Sequence, residues 1–319
     1  MESSLGAQFV WWIGVVEDRQ DPLKVGRCRV RILGSHTDSK SLIPTEDLPW
    51  AMPMIPLNDT SSLQIKEGDY VTGFYLDGLD EQAPIIWGIL PGIPKELPPA
   101  SQGFADPRID LSGAPSLPGS SPTRYPSRLG EPTFSRLARN EKISETPIQE
   151  KTTGIVAAVP TAGPGTWSEP ATPYGAVYPY NRVMETESGH ILEFDDTPGA
   201  ERIHIYHRSG TFEETHPDGT KVINIKADAF EIVLSDKNVY VKGDVNITAA
   251  GNINLKAGKN VNIESGMDII LNATGSLTTQ AGILQSHTSA GPMMLTGIPM
   301  NLNGPPGAIL PPPLPVTGV

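Results

Sequence analysis

Short runs in which hydrophobic and polar residues alternate fill residues 8–95, a pattern typical of half-buried β-strands. Turn-forming residues separate the runs, as expected for strands that reverse direction. We therefore expect a small barrel of about five short strands in this region. The clearest runs cover residues 9–16, 27–33, 70–76 and 85–90.

The second of these runs has two chemically different faces. Cys28, Val30 and Ile32 alternate with arginines, so one face is apolar and the other is basic. We expect the apolar face to pack inside the barrel and the basic face to meet water or a partner. The basic residues are Arg27, Arg29 and Arg31.

The chain changes character between residues 96 and 180, which hold fourteen prolines and no sustained apolar period of 2 or 3.6. Such a segment buries too little apolar area to offset its conformational entropy, so it cannot build a core of its own. We expect an extended strap between domains, ordered only where another surface holds it.

Strand patterns return after residue 189. His190-Ile-Leu-Glu-Phe and Arg202-Ile-His-Ile-Tyr-His are separated by the turn Thr197-Pro-Gly, and residues 211–214 and 221–225 are joined through Pro217-Asp-Gly. This turn chemistry predicts hairpins that lead into the next segment.

Residues 243–282 repeat with a period of eight: GDVNITAA, GNINLKAG, KNVNIESG, MDIILNAT and GSLTTQAG. Large apolar residues recur at the third and fifth positions and small residues at the seventh, and these odd positions share one strand face. Glycine and Asx residues at the block boundaries allow a sharp bend every eight residues. The large apolar residues are Val245, Ile247, Ile253, Leu255, Val261, Ile263, Ile269, Leu271 and Leu277.

One chain cannot wind these octads into a closed coil that buries its own apolar face, because eight strand residues with a bend span only roughly 25 Å. Burying each large apolar side chain is worth about 1.5–3 kcal/mol, so leaving this face bare is costly. Three chains wound about one axis cover the face and leave no open edge, which predicts a homotrimer with these residues as its core. The alternative is a monomer whose octads form a flat antiparallel meander packed on the barrel.

Composition narrows the classes of function. The formal net charge of −12 and the pI near 4.9 argue against broad binding to nucleic acid or to anionic membranes. The amino terminus lacks a charged segment followed by an apolar run, so we expect a chain that starts in the cytoplasm. Cys28, the lone cysteine, lies in a strand pattern that favours a buried structural thiol.

Two parts of the chain resemble a known family. Residues 12–31, followed by His36-Thr, Ile43-Pro-Thr-Glu-Asp-Leu-Pro-Trp-Ala and Ile86-Trp-Gly-Ile-Leu-Pro-Gly, resemble the OB-fold domain of phage central spike proteins. Residues 185–199, with Arg202-Ile-His-Ile-Tyr-His and His216-Pro-Asp-Gly, are similar to the start of the triple-stranded β-helix of these spikes. The valine-glycine-repeat spikes of type VI secretion share that β-helix.

The resemblance implies an all-β chain in four parts. They are an OB-fold domain at residues 1–95 that docks on the baseplate hub, an extended linker at 96–180, an intertwined triple-stranded β-helix at 181–282, and a tip with a Pro-rich tail at 283–319. The implied function is the central spike of a contractile tail, which pierces the host outer membrane during contraction. A spike of a type VI-like secretion or tailocin device that carries a tip effector is the alternative.

The resemblance also implies partners and a location. These are two further copies of the chain, a hub protein for which Arg27, Arg29 and Arg31 are the candidate contacts, and a tip-capping protein. The host outer membrane is a transient partner. The implied location is the tail baseplate of a virion, after assembly in the host cytoplasm.

Enzyme and cofactor chemistry is not expected. Some members of the family carry a lysozyme domain between barrel and needle, but residues 96–180 are too short and too rich in proline for that fold. No acid and carboxylate nucleophile can be assigned there, so we expect no muramidase activity. Some spikes of the family hold iron at the tip through a His-x-His pattern, whereas only His287 is present here, so no metal is expected.

Three other groups of residues are candidate sites. Glu193, Asp195 and Asp196 form an acidic cluster without a partner base, so we expect a solvated hairpin. His204 and His207 are predicted to lie on opposite strand faces and cannot readily share a metal. Because OB-folds often bind single-stranded nucleic acid on aromatic platforms, a set of barrel aromatics keeps that function open, although the acidic chain argues against it. The aromatic residues are Trp11, Trp12, Tyr70, Tyr75 and Trp87.

Overall fold

The computed structural model describes residues 9–58, 65–92, 134–135, 137–140, 155–186, 188–294 and 296. Its regular elements are β-strands and two short 3-10 helices, Thr45–Asp47 and Gly78–Asp80, which confirms the all-β prediction. None of the helices in the described residues is long and apolar enough to span a membrane. The contacts divide the chain into two units, residues 1–251 and 252–319.

The first five strands close a barrel in the order β1-β2-β3-β5-β4, as the sequence predicts. All neighbouring pairs are antiparallel except β3 and β5, which run parallel and complete the closure. The sequence patterns miss β3, which is only four residues long. The strands are β1 (Trp11–Asp18), β2 (Cys28–Ile32), β3 (Trp50–Pro53), β4 (Tyr70–Tyr75) and β5 (Pro84–Leu90).

The barrel core is built from the inward residues of its strands, among them Trp12, Val30 and Val71. Gly73 in β4 permits a close approach, since a Cβ there would lie 1.9 Å from the carbonyl oxygen of Ile85 and 2.5 Å from Trp12 Cζ2. The indole of Trp12 therefore packs where a side chain on residue 73 would otherwise stand.

Seven strands follow the barrel in the described residues. Strands β6 (Val159–Pro160) and β7 (Thr166–Trp167) form a small hairpin. The last five form an antiparallel meander in the order β12-β11-β10-β9-β8, with turns at Thr197-Pro-Gly and Pro217-Asp-Gly as predicted. These are β8 (Asn181–Glu185), β9 (Ile191–Asp195), β10 (Arg202–Tyr206), β11 (Phe212–Thr215) and β12 (Lys221–Asn224).

After β12 the backbone bends at every eighth residue. In the first unit the bends lie at residues 226–227, 234–235, 242–243 and 250–251. In the second unit they lie at 258–259, 266–267, 274–275, 282–283 and 290–291. The predicted octad bends are thus present, and the period also holds on both sides of residues 243–282. A closed β-helix stays a prediction, as do the domain boundaries.

Candidate assembly surfaces

The octad segments expose a row of large apolar side chains. The nine residues predicted for a trimer core are between 57% and 81% exposed in the single chain. Single exposed apolar residues are normal on protein surfaces, but a contiguous series at fixed spacing marks an interaction surface. The octads therefore form the first candidate assembly surface.

The five-stranded sheet β8–β12 hides charged residues on its covered face. Arg202 bridges two carboxylates, with Nη2 2.5 Å from Glu193 Oε1 and Nη1 2.8 Å from Glu214 Oε2. His204 Nδ1 lies 3.1 Å from Glu193 Oε2, and Asn181 donates to Glu193 Oε1 at 2.7 Å. All five side chains are buried. The network satisfies charges that would otherwise be costly to remove from water.

Parts of the proline-rich strap cover this charged face. The guanidinium of Arg202 lies 4.9 Å from the centroid of the Tyr174 ring, and Thr172 Oγ1 donates to Glu214 Oε2 at 3.1 Å. Leu137 is buried together with Ile191 in the same cluster. Leu137, Thr172 and Tyr174 of the strap therefore pack on this sheet.

Burial and ion pairing shift the pKa of Glu193 in opposite directions. Burial raises the pKa of this carboxyl, but the hydrogen bond from His204 and the charge of Arg202 outweigh burial and hold the pKa below its usual range. Glu193 is 1% exposed and Asp195 is 2% exposed. The prediction of a solvated acidic hairpin is therefore wrong for both residues, because the strap covers the strand face that carries them.

The opposite face of the same sheet is apolar and exposed. Ile203, Ile205 and Phe194 are 45–50% exposed, and Ile203 lies directly across from Phe194 on the neighbouring strand. Met184 and Ile223 extend this apolar face to the outer strands and are even more exposed. Because this sheet buries its charged side chains and exposes its apolar ones, its apolar face is expected to need a partner surface. This face forms the second candidate assembly surface.

Arg31 lies inside the barrel domain and not on its surface. Its side chain is fully buried and donates to both carboxylate oxygens of Glu17, Nε at 2.5 Å and Nη2 at 3.3 Å. It also donates to the carbonyl oxygens of Thr37 and Ile43, each at 2.7 Å, while Glu17 accepts from Thr45 Oγ1 at 2.6 Å. The prediction that Arg31 meets water or a partner is therefore wrong, because the loop after β2 covers it.

The other two arginines of this run are partly covered. Arg27 pairs with Asp21 at 2.7 Å, and this hydrogen bond holds the pKa of the Asp21 carboxyl well below its usual range. Arg29 donates to the Leu48 carbonyl at 2.7 Å, and its guanidinium lies 4.5 Å from the centroid of the Trp50 ring. About a fifth of each arginine side chain remains exposed, at 20% and 19%. Their role in docking stays a prediction.

The barrel does not gather the five aromatics of the nucleic-acid alternative on one platform. Trp12 and Tyr75 are core residues at 4% and 3% exposure, whereas Trp11 and Trp87 are exposed at 64% and 65%. The exposed ring of Trp87 instead packs edge-on against Phe74, at 6.4 Å between centroids. The predicted stacking surface is therefore divided between the core and the outside.

The histidines lie in separate environments. His204 is in the buried network, whereas His207 follows β10 and packs on His190 with ring centroids 4.5 Å apart, a contact that the sequence patterns miss. His287 is exposed, with Nε2 3.2 Å from Gln285 Nε2. Within the described residues, no three His, Cys, Asp or Glu side chains form a group that could hold a metal ion.

Cys28 is a buried thiol, as predicted. The side chain is 2% exposed in the barrel core. Burial, reinforced by the negative charge of Glu67, raises the pKa of this thiol to about 12. The reactive thiolate is therefore scarce at neutral pH.

Comparisons with known proteins agree with the barrel and extend beyond it. A family model described as "Gp5 N-terminal OB domain" matches residues 34–164, which begin after β2 and include β3 to β5. "Protein Gp5" of Vibrio phage KVP40 is 42% identical over 275 residues, or 74% of this chain and 62% of that protein. "Pre-baseplate central spike protein Gp5" of Enterobacteria phage T4 is 46% identical over 77 residues, or 24% of this chain and 13% of that protein.

The chain thus spans less than two thirds of the length of either relative. The similarity to the Vibrio phage protein nevertheless covers 74% of this chain, which is much more than the barrel strands, whose last residue is Leu90. With the five-stranded barrel described above, these matches show that the chain is similar to phage Gp5 proteins, of which the T4 protein is named a pre-baseplate central spike protein.

Proposed function

We propose that this chain is the central spike of a contractile tail baseplate, in which three copies form a rod that pierces the host outer membrane. The observation that carries the proposal is the row of nine octad residues, each more than half exposed in one chain. Because these side chains are 57–81% exposed, covering them by two further copies gains about two thirds of the roughly 1.5–3 kcal/mol of full burial for each, or on the order of 10–20 kcal/mol per chain.

The second exposed surface supports the same trimer. Ile203, Ile205 and Phe194 lie in the sheet that precedes the octads in sequence, and we propose that the same two partner copies cover both surfaces. Shared backbone hydrogen bonds between three interwound chains make such a rod stiff along its axis. Stiffness lets the load of sheath contraction reach the membrane without bond chemistry.

In this proposal the barrel docks on the hub protein of the baseplate. The partly exposed side chains of Arg27 and Arg29 are the candidate contacts from the basic run, whereas Arg31 is buried and cannot reach a partner. Support for the baseplate comes from the T4 relative, whose name places it in the pre-baseplate. The proposed location is accordingly the tail baseplate of a virion, after assembly in the host cytoplasm.

The far end of the chain is proposed as the tip. Residues 283–319 would contact a capping protein through the Pro-rich tail, which lies outside the described residues. The proposal includes no enzyme activity, no cofactor and no tip metal at His287. Clearing of a purified cell-wall suspension by the chain would contradict the first point, and metal found in the purified trimer would contradict the last.

Light scattering on the purified full chain tests the trimer. We expect a mass three times that of the 34.2 kDa chain. A mass of one chain at micromolar concentration would refute the proposal, because a monomer cannot cover the octad surface. Electron microscopy of the same sample should then show a thin rod attached to a wider end.

A further inference from the structure

Contacts across the bends show which octad positions share a face. Glu231 Oε2 and Lys237 Nζ are 2.5 Å apart, and Gln285 Nε2 donates to Thr279 Oγ1 at 2.6 Å. The two residues of each pair are six apart in sequence. If the eight-residue blocks are continued by using the observed bends, the first residue is at position five of one block and the second is at position three of the next. Positions five and three on the two sides of a bend therefore face the same way.

These two polar pairs lie at the two ends of a run of five apolar pairs. At the same spacing between them, every pair is apolar. The apolar pairs resemble one another so closely that they do not distinguish one octad from the next. They are Val239 with Val245, Ile247 with Ile253, Leu255 with Val261, Ile263 with Ile269, and Leu271 with Leu277.

Interchangeable octads create a problem for three chains that wind about one axis. A chain that slips by eight residues still places apolar pairs beside apolar pairs over most of its length. Strand register is weakly specified when neighbouring alignments bury the same side chains. Some feature that occurs only at defined points must therefore select the correct alignment.

The polar pairs have the chemistry to make that selection. After a slip of one octad, Glu231 would face Val239 and Lys237 would face Val245, which leaves both charges among apolar side chains. At the other end, Gln285 would face Leu277. Polar groups buried without partners are strongly unfavourable, whereas in the aligned trimer each polar pair lies beside its two copies.

We propose that Glu231–Lys237 and Thr279–Gln285 fix the axial register of three copies of this chain. The inference rests on the trimer proposed above and adds what sets its alignment. A polar position in an apolar seam specifies register in coiled coils at a cost in stability, and the same physics applies here. His287, in contact with Gln285, extends the polar layer at the second end.

Distances between spin labels on the full-length chain test the inference. The label is placed on Asn262→Cys, an outward position, with buried Cys28 replaced by Ala. In the aligned trimer the three labels lie at one level and give one distance. Replacing Glu231, Lys237, Thr279 and Gln285 by Leu makes the end pairs apolar, and we expect this variant to add a second, longer distance.

The matched control removes one Lys and one Glu from outward positions of the same repeat. Lys256→Leu with Glu264→Leu should keep the single distance of the wild type. A trimeric end-pair variant that also keeps a single distance would overturn the inference and leave the trimer intact. A monomeric wild type, seen by light scattering, would instead remove the proposed function itself.

If the apolar variant does not assemble, charge reversal tests whether the Glu231–Lys237 pair sets the register. Glu231→Lys places two lysines together in each copy and should produce a second distance or loss of trimer. Adding Lys237→Glu restores opposite charges and should restore the single distance. If Glu231→Lys alone behaves as the wild type, or if the second change rescues nothing, the pair does not set the register.

Discussion

The buried pair of Arg31 and Glu17 gives the sharpest test of the barrel structure. Both side chains are 0% exposed. Replacing Arg31 by Met leaves the Glu17 carboxylate buried, with the hydroxyl of Thr45 at 2.6 Å and the Lys40 ammonium no nearer than 4.0 Å. Breaking a buried ion pair on one side costs about 3–5 kcal/mol, so we expect Arg31→Met to lower the free energy of unfolding by that amount.

Urea unfolding followed by tryptophan fluorescence measures this loss, because four of the five tryptophans, Trp11, Trp12, Trp50 and Trp87, lie in the barrel. For a slope of about 1–3 kcal/mol per M, the midpoint should fall by at least about 1 M. A loss below about 1 kcal/mol would refute the reasoning, since that is the range of an exposed pair.

A matched control and a compensated variant complete this test. Arg19 pairs with Glu67 at 3.2 Å, but the two side chains are 32% and 26% exposed, so Arg19→Met should cost only about 0–1 kcal/mol. Arg31→Met combined with Glu17→Met removes both charges, and we expect most of the lost stability to return. No recovery in the double variant would mean that the hydrogen bonds of Arg31 to the loop, and not the ion pair, dominate.

Three further predictions concern the core, the charged sheet and the octads. Gly73→Ala should destabilise the barrel by about 3 kcal/mol or more in the same urea assay, because the new Cβ overlaps the backbone of Ile85. The control Gly88→Ala should cost well under half of that, because there is open space around Gly88. Glu193, whose pKa is lowered on folding, contributes stability above its unfolded pKa near 4.5 that is lost as pH falls through the folded value. Glu193→Gln should therefore flatten the loss of thermal stability below pH 4.5, and an unchanged slope would contradict the shift. Ile263→Asp should abolish the trimer mass in light scattering, while Asn262→Asp, on the outward face, should leave it unchanged; equal behaviour of the two would argue against the inward face.

Local patterns predicted much of the fold because strands and turns depend on neighbouring residues. The alternation at residues 202–207 predicted β10, and Pro217-Asp-Gly predicted the turn before β12. The octad bends also follow from local glycine and Asx residues. By contrast, β3 was missed because Trp50-Ala-Met-Pro is short and has no polar residue to reveal its alternation, and it forms by pairing with β2 and the distant strand β5.

The candidate surfaces were predicted only in part. The sequence alone indicated which octad residues share an apolar face, and that assignment stays a prediction. It did not indicate the second apolar face, around Ile203 and Ile205, because a strand pattern does not say which of its two faces is covered. Nor did it indicate the contact of His190 with His207, which follows from the register of β9 and β10, where Ile191 lies across from Tyr206.

The sequence by itself determined where the longer strands lie, where they turn and which of their residues share a face, since these depend on a period of two and on local backbone preferences. Only the tertiary structure decided which face is removed from water. The loop after β2 covers Arg31, and the strap covers Arg202 through contacts such as Thr172 with Glu214, 42 residues away in sequence. Burial is a property of what packs on a face, and strand alternation carries no information about that distant partner.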